Sequence, residues 1–114
     1  MARLIVEGSD LIVWMNPLEI LGALRGPVRV PLASIMDLAA SISLWSELRG
    51  LRMPGTGLPG VIALGTWRYS DGKDFAAVYA SLGVIVTLTG APWSRLLVSS
   101  RDPAGVRREI NTHR

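Results

Sequence analysis

Glycine, proline and arginine are concentrated between residues 46 and 60, and this segment holds the residues best suited to binding an anion. Its two arginines are Arg49 and Arg52, and four of its residues are glycines. Guanidinium groups and the N–H groups of a glycine-rich loop can together cradle a negative charge. We therefore predict a candidate ligand loop at 46–60 that uses Arg49, Arg52, Gly55 and Gly57, with an irregular connection at a sheet edge as the alternative.

The same segment contains a G-x-G-x-x-G motif, formed by Gly55, Gly57 and Gly60. In dinucleotide-binding proteins this motif follows a strand and opens a helix, whose N-terminus holds the pyrophosphate. Here Pro59 lies inside the motif, and a β-type run begins directly after it at Val61. The motif therefore predicts a turn-rich loop, and we predict no bound cofactor.

The residues that hydrolytic catalysis or metal binding requires are nearly absent. The chain has no cysteine, and its single histidine, His113, stands next to the last residue of the sequence. A serine nucleophile needs a base such as histidine, and zinc sites use histidine and cysteine ligands. Asp71 and Asp74 flank a predicted turn, where solvated acids are typical, and together with Asp37 they show no metal-ligand spacing. We predict no enzymatic activity, no catalytic residues and no metal site.

The charge pattern argues against nucleic acid as a partner. Twelve basic and nine acidic residues give a net charge of +3, and the longest basic run is the pair Arg107 and Arg108. Nucleic-acid-binding domains usually carry a basic stripe with interleaved aromatic residues.

Hydrophobic residues make up 49% of the chain. This share predicts apolar surface beyond the core, which an interface with another protein or a second copy would cover.

The second half of the sequence predicts a β-meander. Runs of β-type residues separated by turns cover residues 61–68, 75–80, 84–89 and 95–99. Residues 75–94 carry no charge and are numerous enough to span a membrane. Apolar and polar residues alternate within this stretch, however, and glycines interrupt it, so two strands and a turn explain it better than a membrane helix.

The N-terminal residues predict a β-hairpin, with strands at 3–7 and 11–15 joined by a turn at 8–10. Side chains alternate across a strand, so one face of the second strand carries Leu11, Val13 and Met15. If that face is the core, Ile12 and Trp14 lie outside, where an exposed tryptophan favours partner binding. We predict Ile12 and Trp14 as a candidate interface, with cover by the following helix as the alternative.

That helix is predicted at 17–24. Asn16 can cap its first turn, Pro17 suits the first helical position, and Glu19 occupies the place of a capping-box acid. Three leucines at helical spacing fall on one face of the helix: Leu18, Leu21 and Leu24.

The remaining segments are one strand, one ambiguous region and a closing helix. Residues 28–31 predict a strand, whereas the apolar pattern of 34–44 fits a helix and a strand equally well. Asp102 and Pro103 have the types that cap and begin a helix, and they predict one at the C-terminal end.

In this order the elements resemble the bacterial pleckstrin-homology-like (PH-like) domain family, in particular its small actinobacterial-type members. The resembling stretches are residues 17–26, 30–32, 49–60, 62–66 and 72–75. The resemblance implies a mainly β fold: a bent antiparallel β-barrel or sandwich of about seven strands, with the short helix near 17–24 and a C-terminal helix. It also favours a strand at 34–44.

Eukaryotic pleckstrin-homology domains bind phosphoinositides through basic residues around their first hairpin loop. The corresponding turn here is Gly8, Ser9 and Asp10, which contains no basic residue. The lipid function is therefore not carried over, and this loop does not support contact with a membrane surface.

We expect a single domain over 1–114 that acts as a non-catalytic binding or scaffolding module through protein contacts, including self-association. The alternative is a binder of anionic ligands or membrane surfaces that uses the loop 46–60, and a small enzyme ranks third. The absence of cysteine and of a signal-peptide pattern predicts a cytoplasmic location, with a peripheral place at the membrane as the alternative.

Overall fold

The computed structural model describes residues 2–23, 26–48, 51–58 and 62–114, and for 51–58 it describes the backbone alone. The described residues form nine strands in two sheets, together with three α-helices. In chain order the elements are β1 (Arg3–Glu7), β2 (Asp10–Trp14), α1 (Pro17–Ala23), β3 (Val28–Pro31), β4 (Ile35–Ser41), α2 (Leu44–Glu47), β5 (Leu51–Leu58), β6 (Ile62–Tyr69), β7 (Gly72–Val78), β8 (Gly83–Leu88), β9 (Arg95–Ser99) and α3 (Pro103–His113), with one 3-10 turn, Leu32–Ser34, before β4.

The mainly β class, the short N-terminal helix and the C-terminal helix are confirmed. The smaller sheet has the order β1-β2-β3, and its predicted hairpin turns at Gly8, whose φ of 61° suits glycine. The larger sheet has the order β4-β8-β9-β7-β6-β5.

The structure adds two details to the expected architecture. The described residues form nine strands, where about seven were expected, and one neighbouring pair, β7 and β9, is parallel. The parallel pair arises because β7 does not pair with β8, and β9 lies between them as the antiparallel partner of β8.

The ambiguous segment 34–44 is mainly a strand, as the resemblance favoured. Strand β4 pairs with β8 along the edge of the larger sheet. This pairing buries Ile35 and Leu38 in the core. The register shifts between Ile35 and Asp37, and Met36, which lies between them, is exposed. The tertiary position at the sheet edge decides between the two patterns that the sequence allows.

The long loop predicted at 46–60 is corrected, because residues 51–58 form β5, an edge strand paired with β6. The ladder shifts register between Arg52 and Gly55, the place that contains Pro54. Proline lacks an N–H and occurs in sheets at edges and bulges, so the residues typical of a turn are accommodated within an edge strand.

The main core lies between the two sheets. The smaller sheet contributes Leu11, Val13, Val28 and Val30, and the larger sheet contributes Phe75, Val84, Val86, Leu96 and Val98. Ala23 of α1 and Ile110 of α3 join the same cluster. The two sheets and both helices are thus held together by one apolar layer.

A second apolar cluster covers the other face of the larger sheet. Leu44 of α2 lies there among Ala63, Trp67, Ala76, Val78 and Leu97. Strands β7 and β9 are therefore buried on both faces, which explains the continuous apolar sequence of β7. Among the described residues, no helix has the length and apolar character needed to cross a membrane.

A buried ion pair anchors α2 on this second face. The guanidinium of Arg95 donates to Asp74 Oδ2 at 3.0 and 2.8 Å, to Glu47 Oε1 at 3.0 Å and to the Glu47 carbonyl at 2.7 Å. Tyr69 donates to the other oxygen of Asp74 at 2.7 Å. The sequence predicts Asp74 to be a solvated turn residue, and this prediction is wrong, because Asp74 is 1% exposed. Strand β7 begins at Gly72, so Asp74 lies within the strand, beside Arg95 of β9.

The C-terminal helix is confirmed, with its cap. Asp102 Oδ1 accepts a hydrogen bond from the backbone N–H of Gly105 at 3.0 Å, and Pro103 is the first residue of α3. Ile110 is buried against the main core.

Replacing Arg95 with methionine is predicted to lower the free energy of unfolding by about 3 kcal/mol, because the buried Asp74 then loses its ion pair with the Arg95 guanidinium. Urea unfolding measures the change. The control is Arg29→Met, which removes a guanidinium from an exposed pair with Glu7 and Asp10 and should destabilise much less. Equal effects of the two substitutions would show that the buried pair has no special role.

Candidate functional site

Helix α1 begins with a reciprocal capping box, as predicted. The N–H of Glu19 donates to Asn16 Oδ1 at 2.9 Å, and the N–H of Asn16 donates to Glu19 Oε1 at 3.0 Å. Two backbone donors that the helix would otherwise leave without a partner are satisfied in this way.

The carboxylate of Glu19 also joins parts of the chain that are distant in sequence. Its Oε2 accepts a hydrogen bond from the backbone N–H of Ala2 at 2.6 Å and another from the hydroxyl of Tyr79, which follows β7. Glu19 is 5% exposed. A buried carboxylate is tolerated where several donors surround it, and the described residues supply donors to this one from three different segments.

The same contacts shift the pKa values of the Glu19 and Tyr79 side chains. Burial by itself raises the pKa of Glu19, whereas the hydrogen bonds from Tyr79 and from the Asn16 and Ala2 N–H groups lower it, and the pKa lies below the usual 4.5. Burial, the hydrogen bond to Glu19 and the negative charge of Glu19 raise the pKa of the Tyr79 hydroxyl. Glu19 is therefore the ionised acceptor, and Tyr79 is the neutral donor.

The buried glutamate sets which face of α1 points outwards. Successive helix residues are rotated by about 100°, so Leu21 lies roughly opposite Glu19 and Leu18 lies to one side of it. Leu18 is 78% exposed and Leu21 is 68% exposed. The face that carries the predicted leucines is therefore a surface, and its third member, Leu24, lies outside the described residues.

A shallow cavity of about 340 Å³ lies beside these leucines. Its walls are formed by Asn16, Leu18, Glu19, Gly22, Ile62, Leu64 and Tyr79. Apart from Asn16, Glu19 and Tyr79, whose polar groups bond to one another in the network above, the lining offers apolar groups. We call the exposed leucines and this cavity together the α1 surface.

The two residues of the predicted interface, Ile12 and Trp14, differ in their exposure to solvent. The alternate face of β2 is in the core, as expected, but Ile12 is only 6% exposed, whereas Trp14 is 37% exposed. Ile12 lies between its cross-strand partners Ile5 and Arg29 on the outer face of the smaller sheet. Ile12 is therefore not an exposed anchor. The guanidinium of Arg3 lies over the ring of Trp14, 5.1 Å from the ring centroid.

The residues of the predicted ligand loop are not shown to form a site. Arg52, Gly55 and Gly57 belong to β5, of which only the backbone is described, and Arg49 lies outside the described residues. No metal-binding group of three acidic or histidine side chains occurs in the part of the chain that the structure describes. His113 is exposed in the last turn of α3, with its Nδ1 2.9 Å from the carbonyl oxygen of Glu109.

Comparisons with protein-family models, with curated proteins and with solved structures find no match to this chain. The functional interpretation therefore depends on the geometry of the α1 surface.

Replacing Glu19 with glutamine is predicted to lower the free energy of unfolding at neutral pH by about 2 kcal/mol, because the amide N–H₂ cannot accept the hydrogen bonds that the charged carboxylate receives. The folded-state pKa of Glu19 lies below 4.5. Its contribution is therefore present above pH 4.5 and is lost as the pH falls through the folded-state pKa.

Denaturant unfolding of the wild type and Glu19→Gln between pH 3 and 8 measures this dependence. The stability difference should be constant near neutral pH and should shrink in acid. Glu109→Gln is the control for removal of one carboxylate from an exposed position. A difference that stays the same across the whole range would contradict the role given to the ionised Glu19.

Proposed function

We propose that the protein is a non-catalytic binding module of PH-like architecture that acts through protein contacts, and that it self-associates through the α1 surface. The observation that carries the proposal is the exposure of Leu18 and Leu21 on a helix whose glutamate is buried. Burying one leucine side chain is worth about 2 kcal/mol, so a partner that covers both gains a substantial part of a binding energy.

A second copy of the chain fits this surface better than a charged partner. The only ionisable residue of α1 is Glu19, and its carboxylate is buried and hydrogen-bonded. The exposed part of the helix is therefore neutral, and two copies can approach there without repulsion between like charges. A partner that relied on ion pairs would find no charge on α1 to meet.

The α1 surface also has complementary features side by side. Leu18 and Leu21 project from the helix, and the 340 Å³ cavity bounded by Gly22, Ile62 and Leu64 lies next to them. In a two-fold dimer the same patch is used twice, so a projection on one copy can enter a depression on the other in both directions. This self-complementarity supports a homodimer.

The architecture supports the PH-like part of the proposal. Two β-sheets enclose the main core, and the C-terminal helix packs on that core through Ile110. The alternative of anion binding by 46–60 has less support, because residues 51–58 are a paired edge strand instead of an open loop.

The double substitution Leu18→Ser with Leu21→Ser is predicted to abolish self-association. Sedimentation velocity from micromolar to millimolar concentration should show a dimer for the wild type and a monomer for the variant, since the variant loses the apolar area that the dimer buries. Ile42→Ser is the matched control: it removes an apolar side chain that is 81% exposed elsewhere on the molecule.

The control variant should dimerise like the wild type. A wild type that is strictly monomeric at millimolar concentration would contradict the proposal, and so would a leucine variant that dimerises as strongly as the wild type.

A further inference from the structure

A larger cavity, of about 550 Å³, lies on another part of the molecule, where β1, the end of β9 and the start of α3 meet. Its volume is within the range of about 300–1,000 Å³ that is typical of small-molecule sites. Residues that define its character are the apolar Leu4, Leu82, Val98 and Val106 and the basic Arg3 and Arg101.

Most of the lining suits a hydrocarbon chain. Val98 is buried in the main core, and Leu4 and Val106 pack against that core from the cavity side. Leu82 is 37% exposed at the turn before β8. An apolar chain placed here would remove this lining from water, which is favourable in proportion to the area covered.

The serine hydroxyls in the lining already serve the fold. Ser99 Oγ accepts hydrogen bonds from the N–H groups of Tyr79 and Ala80 and donates to the carbonyl of Ala80. Ser100 Oγ accepts from the N–H of Asp102. A polar group of a ligand would therefore be recognised mainly by the two arginines.

Both arginines are exposed, so the cavity wall that they form reaches the solvent. Neither guanidinium forms an ion pair with a carboxylate among the residues that the structure describes. Arg3 stacks on the ring of Trp14, and the acid next to Arg101, Asp102, is engaged in capping α3. Both guanidiniums are therefore free of ion pairs with the described carboxylates and can bind an anion in the cavity.

We propose that this cavity binds an amphipathic anion with a single hydrocarbon chain. The chain lies against the apolar lining, and the head group, a carboxylate or a phosphate, meets Arg3 and Arg101. Guanidinium groups bind both kinds of anion through paired hydrogen bonds. This site is separate from the α1 surface, and it requires no self-association.

Isothermal titration calorimetry with dodecanoate, dodecyl phosphate and dodecanol, each below its micelle or solubility limit, tests the proposal. We expect one molecule of either anion to bind per chain, and about tenfold more tightly than dodecanol. Comparison of the two anions identifies the preferred head group. The double variant Arg3→Gln with Arg101→Gln should weaken anion binding about tenfold, and Arg107→Gln, an exposed arginine outside the cavity, should leave it unchanged.

Filling the cavity provides the second arm. Val106→Trp should abolish binding of all three probes, and circular dichroism checks that the variant is folded. If Val106→Trp does not fold, Leu82→Trp occupies the same cavity from a more exposed position. The absence of saturable binding by the wild type would overturn the proposal, as would equal binding of dodecanol and both anions, or undiminished binding by a folded tryptophan variant. Binding to anionic vesicles alone, without binding of the monomeric probes, would also overturn it.

Discussion

The buried carboxylate of Glu19 is the interaction on which the arrangement of this molecule depends most. A charged group removed from water is costly unless donors replace the lost hydration. Here the donors come from Ala2 before β1, from Asn16 at the start of α1 and from Tyr79 after β7. The network joins the smaller sheet, the helix and the larger sheet at one point, so helix α1 cannot rotate without breaking it.

The orientation of α1 determines which side chains this part of the surface exposes. Because the glutamate occupies the inner side, Leu18 and Leu21 are presented to solvent next to an apolar depression. An amphipathic surface helix normally buries its leucines and exposes its acids, and this helix does the reverse. Such an inversion is unfavourable for an isolated monomer, and it is readily explained if a second copy covers the leucines.

The parts of the structure that the sequence predicted correctly depend on local chemistry. The capping box of Asn16 and Glu19 and the Asp102 cap of α3 each involve residues three positions apart. Contacts between distant residues were not predictable: nothing near Glu19 indicates that its acceptor meets Tyr79, and nothing near Asp74 indicates Arg95. Strand β5 was missed because its glycines and Pro54 are typical of loops, and only pairing with β6 makes them a strand.

The most direct measurement uses the absence of native cysteine: a Leu21→Cys variant carries a single thiol on the face opposite Glu19. Its rate of reaction with a water-soluble thiol reagent is measured as the protein concentration increases. The account predicts a rate close to that of an unstructured peptide thiol at low concentration and progressive protection at high concentration. Slow labelling at every concentration would show that α1 does not turn its leucines outwards, and labelling that stays fast throughout would show that nothing covers them.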